Sequence, residues 1–344
     1  MRRAVKPDLN FTPCAPRVTS QWARCCVLIA AAIACTLSFA PASAQTYPTR
    51  PVKFVVPFTA GGGTDVTARL VAERMEPKLG QPIVIENRPG ASAAVGAGQV
   101  AHAQPDGYTI LVGTATLVAN TLVSGKSESF DVIDDFEFIG EIGRLDLIVM
   151  VNSKSNINTL QDLVKLMRTQ PNKVTFGSNG IGSPGQLGGE LFKQLIKGDA
   201  LHIPYKGESA ALTDLLGGVT TFQLCSPNVC VPRIQDGSLR GLAIAGKTRS
   251  PMAPSIPTTA EAGVPGFEAG TWYYLAAPKK TPASVITKLN TALNEVFADE
   301  KFRARMLETG VEVNPGTTPA GVKAAMQAEM DKWRPVVKAA GIKN

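Results

Sequence analysis

The residues best suited to chemistry in this 344-residue chain offer mainly backbone groups. Gly61-Gly62-Gly63-Thr64-Asp65 follows a short apolar run, Val52 to Val56, and precedes helical spacing through Val66, Leu70 and Met75. Three successive glycines put no Cβ between backbone N–H groups and a ligand. The first N–H groups of a helix lack internal partners and carry about half a positive charge, so a carboxylate or phosphate there gains roughly 0.3 to 2 kcal/mol from the dipole. Thr64 or Asp65 can cap that helix. A second glycine-rich turn, Gly177-Ser-Asn-Gly-Ile-Gly-Ser-Pro-Gly185, lies between Val174-Thr-Phe176 and a helical pattern of Leu187, Leu191, Leu195 and Ile196. Both turns are built for an anion, or else simply join strand to helix.

Covalent and metal chemistry find less support. Ser178, Ser183 and Ser226 are possible nucleophiles, but no G-x-S-x-G elbow is present. The two histidines, His102 and His202, have no spacing that would gather metal ligands. Gly180-Ile-Gly182-Ser-Pro-Gly185 matches the dinucleotide fingerprint literally, yet Pro184 stiffens the turn and no acid stands clearly about twenty residues beyond a strand end. No catalytic residue, no metal and no cofactor are therefore expected.

The elements that must position these turns alternate strand and helix. Ile83-Val-Ile85 and Tyr108-Thr-Ile-Leu-Val-Gly113 read as further strands, with a small-residue helix from about 93 to 103 between them and polar Thr114-Ala-Thr116 beyond. Such alternation predicts a mainly parallel sheet flanked by helices, with ligands beyond the carboxyl ends of its strands. Phe136 to Val151 reads as a strand crossing to a second lobe, where Thr159 and Asp162 stand in capping-box positions ahead of Leu160, Leu163, Val164 and Met167. Thr271 to Pro278 reads as a strand crossing back. The expected fold is α/β and two-lobed, each lobe a mainly parallel sheet flanked by helices, with two crossing strands as the hinge near Leu145 and Trp272. The lobes are expected to comprise residues 45–146 plus 272–344, and 147–271.

Arg2, Arg3, Lys6, Arg17 and Arg24 precede an apolar run from Cys25 to Ala40 and then Ala42-Ser43-Ala44, the pattern of a secretory signal peptide over residues 1–44. Those residues hold five basic and one acidic side chain, so the formal charge of +7 falls to +3 for the remainder. That dispersed charge excludes nucleic acid as a partner. Four of the six cysteines leave with the leader, and Cys225 and Cys230 remain either as a disulfide or as two buried thiols.

Tyr47-Pro-Thr-Arg-Pro51, Val56 to Asp65, Glu86-Asn-Arg-Pro-Gly90, Pro105-Asp-Gly-Tyr108, Pro204-Tyr-Lys-Gly207, Pro257 to Gly263 and Trp272-Tyr-Tyr-Leu-Ala-Ala-Pro278 occur in one order. Together they resemble the tripartite tricarboxylate transporter receptors, the Bug-type extracytoplasmic solute-binding proteins, across essentially the whole chain beyond the leader. The resemblance implies a type II periplasmic-binding-protein fold, or Venus flytrap. It implies a monomer in the periplasm that binds a small mono-, di- or tricarboxylate between its lobes, with no enzyme activity, and delivers it to membrane permease subunits. The ligand-binding residues it implies are Phe58, Thr59, Ala60, Gly61, Gly62, Gly63, Thr64 and Asp65, with Thr114 and Ala115, Ser178, Asn179, Gly182 and Ser183, and Ser226. Two departures bear on the ligand: Leu224-Cys225-Ser226 replaces a commoner Phe-Asp-Ser, and Arg144-Leu-Asp146 charges the first crossing strand. Arg144 either grips a second ligand carboxylate or pairs with Asp146 or Glu141 at the hinge surface, where Trp272 also stands. The alternatives to a transport receptor are a secreted serine hydrolase of carboxylate esters and a ligand-sensing lobe for a signalling partner.

Overall fold

The computed structural model describes residues 47–124, 130–170 and 173–342, so the leader expected over 1–44 lies outside the described residues. In the first half, β1 (Val52–Val56), β2 (Ile83–Asn87) and β3 (Thr109–Thr114) are joined by α1 (Gly63–Leu79) and α2 (Ala94–Ala101), and α3 (Ala115–Ser124) follows directly. Helix α1 stops at Gly80, whose left-handed conformation (φ +70°) returns its N–H to the Glu76 carbonyl. The crossing strand β4 (Phe136–Asp146) leads through Leu147 into β5 (Ile148–Asn152).

The second half adds α4 (Leu160–Thr169), β6 (Thr175–Ser178), α5 (Pro184–Ile196), β7 (Leu201–Pro204), α6 (Glu208–Leu216), β8 (Phe222–Cys225), α7 (Pro227–Gln235) and β9 (Leu239–Ile244). The capping box expected of Thr159 and Asp162 is formed in both directions at the head of α4. Strand β10 (Gly270–Pro278) then returns, followed by α8 (Ala283–Ala298), α9 (Glu300–Leu307), β11 (Glu312–Val313) and α10 (Pro319–Ala340).

Two sheets result, ordered β11-β4-β10-β3-β1-β2 and β7-β6-β8-β5-β9. Each is mixed. Strands joined by crossover helices pair in parallel, β1 with β2 and β3, and β6 with β7 and β8. The antiparallel pairs come from the crossing strands: β10 lies against β3 and β4, and β5 against β8 and β9. Strands β5 and β10 each enter from the other sheet and therefore run against the local direction, whereas β4, which leaves the first sheet, runs with β1 and β3.

The sheets meet where three chain segments pass. Leu147 N–H donates to the Ala269 carbonyl (2.9 Å), Ala269 N–H to Ala245 (2.8 Å), and Ala245 N–H to Leu147 (2.8 Å). This closed ring of backbone bonds holds the crossing. Packed apolar faces fill both halves; in the second, Phe192 stacks on Phe267 at 4.9 Å and Phe176 on Phe222 at 5.4 Å, each pair adding about 0.5 to 1.5 kcal/mol beyond burial.

Candidate functional site

Between β1 and α1 the chain is tied down by one carboxylate. The helix begins earlier than its sequence predicts: Gly62, extended at φ −78°, is the cap, and Thr64 and Asp65 lie inside the first turn. Asp65 is 2% exposed. It accepts from Gly61 N–H (2.9 Å), from Arg69 Nε and Nη2 (2.9 and 3.0 Å) and from Asn87 Nδ2 (2.9 Å), while Asn87 Nδ2 also reaches the Phe58 carbonyl (3.1 Å). Burial raises the Asp65 pKa, but these donors outweigh it and hold the carboxyl below its usual range. Gly61 stands at φ +79°, a conformation that glycine adopts without strain. With Asp65 saturated, the turn presents the N–H groups of Gly63 and Thr64, which meet no backbone carbonyl among the described residues. Thr59 and Ala60 are exposed, and Phe58 is half-buried against the core.

Two side chains from other elements face this helix head. A β-carbon on Gly63 would lie 3.4 Å from Asn228 Nδ2 and 3.5 Å from the Tyr273 hydroxyl. Asn228 is the second residue of α7, which Ser226 precedes as cap; its Oδ1 is buried without a partner among the described residues. Tyr273, on β10 opposite Thr114 of β3, is 5% exposed, and its O–H meets no acceptor among the described residues. Burial, and then the nearby Glu208 carboxylate, push the Tyr273 phenol well up. Glu208 opens α6 and accepts the Ser226 N–H at 2.6 Å; burial raises its pKa against that bond. Gln223 beside it is fully buried, its Nε2 3.5 Å from the Glu208 carbonyl and its Oε1 unpartnered.

The second glycine turn faces a different element. Ser178 is fully buried; its hydroxyl lies 2.7 Å from His202 Nε2 and accepts Gly180 N–H at 3.2 Å. Burial, and then Lys193, depress His202 to about 4, so the imidazole is neutral near pH 7. Ser183 caps α5 by accepting Gln186 N–H (3.3 Å), and Gly182 N–H donates to Gln186 Oε1 (2.7 Å). A β-carbon on Gly182 would lie 3.8 Å from Asn120 N and Val123 Cγ2 of α3, the helix headed by Thr114 and Ala115. Asn179 is exposed. The Ser178 and Ser183 hydroxyls thus serve their own turn. Although Ser178 meets a histidine, no carboxylate hydrogen-bonds His202 among the described residues, so a hydrolytic triad is not assembled.

Of the partners open to Arg144, a second ligand carboxylate, Asp146 or Glu141, the one it grips is Glu141, by Nε and Nη2 at 2.7 and 2.9 Å, with the guanidinium 5.4 Å from the Trp272 ring. Trp272 is 2% exposed, and its Nε1 is buried without a partner among the described residues. Cys225 and Cys230 are both buried free thiols. Among the described residues no group of acidic, histidine or cysteine side chains is placed to hold a metal ion.

Sequence reasoning missed Tyr273, Asn228 and Glu208. Each carried a weak signal: Tyr273 neighbours Trp272 on a crossing strand, Asn228 follows Pro227 at a helix start, and Glu208 follows the Gly207 cap. Nothing local says that these three residues converge.

The family profile described as "Tripartite tricarboxylate transporter family receptor" matches residues 67–342. Protein BugT of Bordetella pertussis is 36% identical over 310 residues, covering 88% of this chain and 93% of BugT. The solved structure of Rhodopseudomonas palustris Rpa4515 with adipate is similar at TM-score 0.79 and 34% identity, over 86% of this chain and 99% of that one. MatC from the same organism, with bound malate, is similar at TM-score 0.76 and 30% identity, over 85% and 100% of the two chains.

Proposed function

This chain belongs to the tripartite tricarboxylate transporter receptor family, and from that premise we propose that it captures a small carboxylate between its lobes in the periplasm and delivers it to membrane permease subunits. It acts as a binding protein and not as an enzyme. The lobes are residues 45–146 with 272–344, and 147–271; the crossing segments near Leu145 and Trp272 flex to admit the ligand. Adipate and malate in the two relatives support a carboxylate as the cargo.

One observation carries the reading. Among the described residues the Gly63 and Thr64 N–H groups at the head of α1 meet no backbone carbonyl, and Asn228 Nδ2 and the Tyr273 hydroxyl come within 3.4 and 3.5 Å of where a β-carbon on Gly63 would lie, so three kinds of donor gather at this helix head. Oriented donors at a helix N-terminus bind a carboxylate in preference to a neutral group. Thermal shift over a panel of aliphatic and aromatic carboxylates tests the proposal. A ligand at a hundredfold excess over its Kd stabilises the folded state by about 2.7 kcal/mol. Gly63→Val should abolish that shift while leaving a folded protein, because Gly63 lacks the left-handed φ that would strain a side chain. An undiminished ligand shift in the folded variant would remove this turn from the site.

A further inference from the structure

One carboxylate lies where the two lobes join, and the carboxylate-binding turn does not use it. Asp146 ends β4 immediately before Leu147, while Gly246 and Gly270 follow Ala245 and Ala269, so all three residues adjoin the backbone ring that holds the crossing. A β-carbon on Gly246 would collide with Asp146 Oδ2, and one on Gly270 would lie 3.0 Å from Oδ1. The carboxylate fills the space that two side chains would otherwise take. A cavity of about 50 Å³ beside it is walled by Asp146 and Glu312 from the first lobe and by Pro227, Ile244 and Thr248 from the second. The lobes touch again past this cavity, since a β-carbon on Gly310 would lie 3.2 Å from Pro227 Cβ.

Among the described residues no cation pairs with Asp146, and it accepts no hydrogen bond. Arg144 of β4 grips Glu141 with two bonds, Lys332 of α10 lies 4.7 Å from the Trp333 ring, and Arg249, which also lines the cavity, pairs with Glu261 at 2.8 Å. Lys247, next to Gly246, is exposed. Glu268, just ahead of β10, and Glu312 of β11 act on Asp146 with like charge, one from each lobe. Burial first, and then these two acids, let the carboxyl keep its proton up to a pH of about 6.

We infer that Asp146 is a proton-operated latch at the hinge: protonated, it lets the crossing pack as described and keeps the lobes together, and ionised, it draws water into the crossing and the lobes part. The latch rests on the flexing of the crossing segments proposed above, and it makes the closed, ligand-holding form the protonated one. Parting restores water to the ionised carboxylate and relieves its repulsion from Glu268 and Glu312. A carboxyl that titrates near 3.9 when solvated and near 6 in the closed form shifts the ratio of closed to open molecules about tenfold between pH 7.5 and pH 5.

The test is a pulsed electron-spin distance measurement on the ligand-free mature chain, with nitroxide labels at Glu73→Cys of α1 and Lys165→Cys of α4, both exposed and one in each lobe. Cys225 and Cys230 are buried and escape the label. The ratio of closed to open distances should rise roughly tenfold from pH 7.5 to pH 5. Asp146→Asn, which cannot ionise, should hold the pH 5 ratio at both values, and Glu268→Gln, which removes one of the two opposing charges, should move the midpoint of the change to lower pH. Circular dichroism checks that each variant is folded, and Glu268→Gln carries the test alone should Asp146→Asn not fold. A wild-type distribution that ignores pH, a change that persists in folded Asp146→Asn, or a midpoint unmoved in Glu268→Gln overturns the latch. If a thermally stabilising carboxylate also leaves the wild-type distances unchanged, the proposed flexing of the lobes fails with it; if the ligand shifts them and pH does not, the latch alone fails.

Discussion

Asp146 should make this protein less stable as pH rises from about 4 to 6, and Asp146→Asn should erase that loss. Asp146 is the last residue of β4, and its carboxylate lies over Gly246 and Gly270, where a β-carbon would collide with the carboxylate at Gly246 and crowd it at Gly270. No hydrogen bond reaches it among the described residues. Burial first, and then Glu268 and Glu312, push its pKa up from 3.8 to about 6, with Lys332 and Arg144 opposing. An unfolded aspartate titrates near 3.9, so between pH 4 and 6 the folded chain binds the extra proton and the free energy of unfolding falls as pH rises. The full displacement corresponds to about 3 kcal/mol, and partial solvent access reduces this to about 1 to 3 kcal/mol. Urea denaturation of ligand-free wild type and Asp146→Asn at pH 4.5 and pH 7.5 measures it. The variant should gain about 1 to 3 kcal/mol over wild type at pH 7.5 and markedly less at pH 4.5. An equal difference at both pH values would refute the argument, because a carboxylate that titrates normally produces no such change between them.

Three further outcomes follow from the geometry. Asp65→Ala should lower stability by about 1 to 3 kcal/mol and weaken carboxylate binding, since it leaves Arg69, Asn87 and the Gly61 N–H without their shared acceptor; urea titration and calorimetry on one preparation separate the effects, and unchanged affinity would mean that the turn holds its shape unaided. Cys225 and Cys230 should resist a thiol reagent in the folded protein and react in denaturant, and the double serine variant should still bind; rapid labelling under native conditions contradicts the buried placement. Ligand should alter fluorescence mainly through Trp272, which is buried at the crossing, so Trp272→Phe should remove most of the signal while Trp333→Phe retains it.

Periodicity and punctuation made much of this molecule legible. Val52 to Val56 is β-branched and bounded by prolines, Thr159 and Asp162 form a recognisable capping pair, and the tryptophan-tyrosine run near 272 reads as a long strand. The glycine turns were legible as helix heads because no Cβ and a following helical pattern suffice to say so. Side-chain allegiance was not. Asp65 looks in sequence like a cap or a ligand contact, and only the fold brings Asn87 and Arg69 round to occupy it. Tyr273, Asn228 and Glu208 come from three elements and are separated by 20 to 65 positions along the chain, and no local pattern encodes where such residues meet. The antiparallel halves of the sheets escaped for a related reason, since strand direction at a crossing depends on which lobe the chain has just left.

The Asp65 clamp has a consequence for rate as well as for shape. A loop that must be ordered by its ligand spends part of the interaction energy on lost conformational entropy, whereas Gly61 to Asp65 is fixed by bonds from Gly61, Arg69 and Asn87 before any encounter. A first capture at this turn, as proposed, should therefore require no loop rearrangement and proceed near the rate set by diffusion and orientation. Differences in affinity among cargoes should appear mainly as differences in residence time, governed by the opposite wall and by how long the two lobes stay together.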